Sequence, residues 1–198
     1  RDRDNITIDK KISDQQEYLD KSIYINLDPY DIKCAEAEYY ISTDYKILPG
    51  MDYQNMDFTD TIAKSYVTLL TNADIMNEVA EKFGTQSRYL KEILSIYVSD
   101  RILTVKVLHS DVDTAQQILE CVVGYLPSIG ENITNNIAEH SLGLINNTSY
   151  SYIDLDLIDK QKEQNALLQS LNQTKTVNDN IIDDATYNPV SYTHLRAH

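Results

Sequence analysis

IYVSDRILTVKVLHSDVDTAQQILECVVGYL, residues 96–126, carries two hydrophobic periods back to back. Leu103, Val105 and Val107 alternate with Ile102, Thr104 and Lys106, a period of two that predicts a β-strand. Asp100-Arg101 is a two-residue polar break, so Ser95–Ser99 is expected to pair with that strand as a hairpin. The period then changes: Ala115, Ile118, Leu119, Val122, Val123 and Leu126 fall at helical spacing. Asp113 or Thr114 can cap this helix, with Gln117 completing a capping box after Thr114. A strand followed by such a helix must lay one apolar stripe on a sheet.

Upstream, Arg1–Lys11 is charged and weakly patterned, and reads as frayed. Ile12–Leu19 reads as the end of a longer helix with Gln15, Gln16 and Glu17 on its wet side. Ser22–Leu27 alternates Ile23, Ile25 and Leu27 and predicts a strand, followed by a turn over Asp28-Pro29-Tyr30-Asp31. Lys33–Tyr45, with Ala35, Ala37, Tyr39 and Ile41 on one side, predicts a second strand, and Pro49-Gly50 opens a loop. Three helices are expected next. One is capped by Thr59 and striped by Ile62, Ala63, Tyr66, Leu69 and Leu70. One is capped by Thr71 or Asn72 and ends before Gly84, and a short one spans Ser87–Leu94.

Downstream, Pro127 is expected to end or kink the helix of the opening stretch. His140–Ile145 predicts a last strand, and Asp156–Thr174 a polar helix. The pattern predicts an α/β fold, an α+β sandwich with helices on a small mixed sheet and helical arms at both ends. The expected division is a partly frayed arm over 1–21, an α/β domain over 22–155 and a return arm over 156–189. The tail Val190–His198, VSYTHLRAH, looks like the in-frame translation of a sequencing adapter, and is set aside as non-native. His194 and His198 leave with it.

The chain of 198 residues is long enough to bury roughly 70% of its unfolded surface. Its formal net charge of −14 repels phosphate backbones and disfavours docking on anionic lipid, so nucleic acid is not an expected partner. No window approaches the ~20 apolar residues of a membrane span, and no secretory signal is visible. The chain begins at Arg1 rather than Met, so a missing N-terminal part is expected.

No chemical motif stands out, and no catalytic, cofactor or metal residue is assigned. None of the five glycines sits in a phosphate-cradling pattern, and no nucleophile elbow is present. His109 and His140, with Asp111 and Asp113, could approach as metal ligands, but their spacing matches no ligand pattern. Asp154, Asp156 and Asp159 resemble part of a calcium loop. Asp159 stands where that loop needs glycine, so acidic residues at a helix N-terminus are the better reading. Cys34 and Cys121 are either a disulfide or two buried thiols. Tyrosine is over-used, at 15 against 2 Phe and no Trp. Tyr39, Tyr40, Tyr45 and Tyr53 crowd one region, as a glycan-stacking or subunit surface or as rings at a sheet rim.

One ordered set of short motifs carries a resemblance. Tyr18-Leu19-Asp20-Lys21-Ser22-Ile23, then Leu27-Asp28-Pro29-Tyr30, resembles the opening pattern of Wzz-type polysaccharide chain-length determinants of Gram-positive bacteria. Ser65-Tyr66-Val67 with Ile75-Met76 is similar to the helices that follow there, and Leu103–Val107 with Asp113 and Ala115 to the strand–helix signature. Glu139-His140-Ser141-Leu142 and Asp154–Gln161 resemble the closing strand and the return helix. The likeness implies a membrane-anchored, non-catalytic extracytoplasmic domain with coiled helical arms and no cofactor. It implies homo-oligomeric rings that act with a polysaccharide polymerase on lipid-linked glycan, and a separate cytoplasmic tyrosine kinase as a partner. Both membrane helices of that family, and the proline-rich segment before the second, are absent from this chain. A surface domain that binds glycan or protein through a tyrosine-rich face is the alternative.

Overall fold

The computed structural model describes residues 2–44 and 57–187 of the chain. Two compact units are present: Leu27–Asp154, and a helical unit formed from residues up to Asn26 together with those from Leu155 onward.

The first unit is the α+β sandwich. Its four-stranded sheet contains β1 (Ile32–Thr43), β2 (Leu94–Ser99), β3 (Ile102–His109) and β4 (His140–Tyr152), in the order β2-β3-β1-β4. Every pairing is antiparallel, so the sheet is not the mixed one expected. The hairpin of the opening stretch folds as read, whereas Leu126, expected on the stripe of the helix after it, begins the next helix. Ser99 faces Ile102 across a two-residue turn in which Asp100 and Arg101 take φ of 50° and 64°. Positive φ at both positions gives the primed hairpin turn that matches strand twist.

Alternation along β1 and β3 puts Ala35, Ala37, Ile41, Leu103, Val105 and Val107 on one face, all fully buried. Helix α5 (Val112–Val123) lies on β1 and β3 through Ala115, Ile118, Leu119 and Val122. Helix α2 (Thr59–Leu70) packs on β2 and β1 through Ile62, Ala63, Tyr66 and Leu70, and α3 (Ala73–Lys82) and α4 (Ser87–Ile93) complete the layer. Asn72 caps α3 by accepting the Ile75 N–H at 2.9 Å, and Gly84 follows the helix at φ 68°, the left-handed position that favours glycine.

Other boundaries differ from the sequence reading. Asp111, not Asp113 or Thr114, caps α5, accepting from the Thr114 N–H at 3.1 Å and hydroxyl at 2.7 Å. Thr59 is the first residue of α2, and Asp57 accepts both its N–H and its hydroxyl. Pro127 begins a helix instead of ending one. It lies in the first turn of α6 (Leu126–Asn136), where its missing N–H has no helical acceptor to lose, and Leu126, Ile129 and Ile133 form the buried stripe. β4 runs far beyond Ile145. It is an edge strand whose side chains are mostly exposed, so no apolar alternation was required of it. A register shift opposite Glu38/Tyr39 leaves one extra β4 residue, Ile145, between the partners Leu144 and Asn146.

The helical unit consists of α1 (Asp2–Lys21), a 3₁₀ turn (Tyr24–Asn26) and α7 (Leu155–Tyr187). Within the stretch read as frayed, Asp2–Lys11 is thus the first half of α1. Gln15, expected on the wet side, instead donates to the Gln164 backbone carbonyl and side chain at 2.9 and 3.0 Å. Lys175 meets Asp9 at 2.7 Å, so the two helices run antiparallel. Ser22–Leu27 is not a strand. The Ser22 hydroxyl accepts the Ile25 N–H at 3.1 Å, and the Asn26 amide donates to the Leu19 and Ser22 carbonyls, which closes the end of α1. Pro49-Gly50, Tyr45, Tyr53 and the tail Val190–His198 lie outside the described residues.

Candidate functional site

Two concavities in the sheet unit gather polar side chains. The larger, about 950 Å³, lies beside edge strand β2 where α2 begins. Ala63, Val67, Ile96 and Val98 line its apolar part. Asp57 and Asp60 enter from the start of α2, Lys64 from its next turn, and Asp100 and Arg101 from the hairpin turn. The two Thr59 hydrogen bonds, aided by the nearby Arg101 guanidinium, hold the Asp57 carboxyl below the usual carboxylate range. Three carboxylates and two cations around an apolar floor leave little net charge. Such a cleft offers many hydrogen bonds to an uncharged polar ligand and little to a multiply charged one.

The smaller cavity, about 520 Å³, lies between α2, α6 and the start of β4. His140 Nδ1 stands 3.2 Å from the Ala138 carbonyl and 3.3 Å from the Thr134 hydroxyl. A carbonyl only accepts, so Nδ1 carries the proton and Nε2 accepts from the Tyr66 hydroxyl. Tyr66 is buried, and loss of solvation pushes its phenol up to about 12. The two rings meet edge to face, with centroids 5.3 Å apart. Gly130 permits this approach, because a Cβ there would come within 2.8 Å of the Tyr66 hydroxyl. With both its nitrogens engaged, His140 has no free lone pair for a ligand or a metal. The pair acts as a tie between α2 and β4.

The side chains singled out in the sequence therefore separate. His109 ends β3, where its Nδ1 accepts the Asp111 N–H at 3.1 Å, while His140 is tied to Tyr66. No group of three potential metal ligands converges among the described residues. Asp156 and Asp159 lie on α7, with Asp156 in its first turn. Cys34 and Cys121 are both free thiols. Cys34 faces the Tyr150 hydroxyl, and burial raises its pKa. Tyr39 and Tyr40, adjacent on a strand, point to opposite faces, and only Tyr40 is exposed. The face that does carry tyrosine is the one opposite α5, where Tyr40, Tyr97 and Tyr150 are exposed around Glu36, Glu38 and Lys106. Lys106 meets Glu36 at 3.5 Å and lies 5.7 Å from the Tyr97 ring centroid. Strand register, not sequence proximity, assembles this set; the alternation of Tyr97 with Ile96 and Val98 was the available signal. The Tyr66–His140 tie joins residues 74 positions apart and had none. Compared with known proteins, the chain matches no family model and no curated protein sequence.

Proposed function

We propose that this chain is the extracytoplasmic part of a membrane-anchored, non-catalytic regulator of polysaccharide chain length, of the Wzz type. The observation that supports this reading most is connectivity. The chain enters the sheet unit from α1 and leaves it into α7, and those helices pair antiparallel through Gln15–Gln164 and Asp9–Lys175. A polypeptide that rises from a surface and returns to it needs such a pair of legs. No helix among the described residues is long and apolar enough to cross a membrane, and the reading places the spans outside this chain. In this reading the domain works on the outer side of the cell membrane as a homo-oligomer. It acts beside a polysaccharide polymerase and lipid-linked glycan, and a cytoplasmic tyrosine kinase is reached through other regions.

The test is deletion of the gene in its host, followed by gel separation of the surface polysaccharide. A shifted or broadened length distribution is expected, and an unchanged one overturns the reading. The second reading, a glycan-binding domain, is favoured by the near-neutral cleft beside β2 and by the exposed ring of Tyr97. Calorimetric titration with a panel of neutral hexasaccharides decides it. Binding that Tyr97→Ala and Asp60→Ala both weaken supports the second reading, and no heat from any member removes it.

A further inference from the structure

We infer that the free edge of β4 is a self-association surface, on which a second copy of this chain pairs its own β4 antiparallel about a two-fold axis. β4 is the outermost strand of the sheet, and its 13 residues make it one of the two longest strands by a wide margin over β2, the other edge. A long edge presents a row of backbone donors and acceptors, and proteins normally guard it with a charge, a proline or brevity. β4 has none of these. From His140 to Ile153 no Asp, Glu, Lys, Arg or Pro occurs, the longest run without a charged residue in a chain that is 24% charged. A bulge also guards edges, but this one carries Leu144 at 60% and Ile145 at 53% exposure, so it offers apolar surface instead of removing it.

Charge identifies the occupant as a second copy. Two molecules at −14 repel each other over most of their surfaces. Two-fold pairing sets the same strip against itself, and this strip brings no like charges face to face. It also adds the backbone ladder that one copy leaves unmade on this side. The inference stands apart from the chain-length reading: a chain that dimerises through β4 and leaves polysaccharide length untouched would sink that reading and keep this one.

Sedimentation velocity of the 198-residue chain, from low micromolar to several hundred micromolar, tests it. A reversible monomer–dimer equilibrium is expected. Leu144→Lys with Thr148→Lys, both on exposed positions and one on each side of the sheet, should weaken it by more than about tenfold, because each lysine puts a like charge from both copies into the uncharged strip. Thr148→Lys alone should act in the same direction if the double variant fails to fold by circular dichroism. Ser99→Lys, on the opposite edge, should leave the dimer unchanged. A chain that stays monomeric, an assembly that does not stop at two, or a dimer indifferent to the β4 lysines overturns the inference.

Discussion

In the unit Leu27–Asp154, the five helices α2 to α6 and four strands bring together fully buried side chains such as Tyr66, Leu90, Leu103, Val105 and Leu119; in the α1/α7 unit, Ile12, Ile25 and Leu157 are the buried apolar residues among those described. The first is ordered by surface removed from water, and the second by helix continuity with a few polar clasps. At roughly 25 cal/mol per Å² of apolar surface, the sheet unit has ample drive to fold, whereas the helical unit has little. Long helices with so little burial depend on neighbours for their persistence.

The contrast would break first at Leu119. Leu119→Ala empties a fully buried site under α5 and should cost about 3 kcal/mol in urea unfolding. Leu168→Ala, half-buried on α7, should cost under about 1 kcal/mol. Equal losses would mean that the helical unit has a core of its own. Tyr66→Phe comes next. It strips the donor from His140 Nε2 and should cost about 1–2 kcal/mol, more than the removal of Gln15 from its clasp on Gln164.

The smallest effect is the dependence on pH. Burial of His109 lowers its pKa below the ordinary imidazole value, and its Nδ1 must stay unprotonated to accept the Asp111 N–H. The unfolded chain then takes up a proton at higher pH than the folded one. Stability should fall as pH drops through about 6.5 and level off below the folded-state pKa. His109→Gln should lose less stability than the wild type between pH 7.5 and pH 5 in matched thermal melts; identical slopes would refute the assignment.

The sequence showed most of the sheet unit wherever burial imposes a period. The β2–β3 hairpin, β1, α2, α3, α4 and α5 all carry their stripes openly. It misled where local bonding beats pattern. Ser22–Leu27 alternates like a strand, yet Ser22 and Asn26 fold it back on the end of α1. Pro127 reads as a stop only if the helix before it is assumed to continue. The full length of β4 was hidden because an edge strand is wet on most sides. The candidate site was less legible still, since Asp57, Lys64 and Arg101 converge only after α2 has packed beside the hairpin turn.

The extra residue in β4 has an arithmetical consequence. Leu142 and Leu144 share one side of the sheet, while Asn146, Thr148 and Tyr150, also even-numbered, fall on the other. Ile145 is what switches the parity. A cousin of this chain that lacks a counterpart to Ile145 must carry one half of this strand in inverted order, and an alignment that slides past the gap will assign every residue beyond it to the wrong surface.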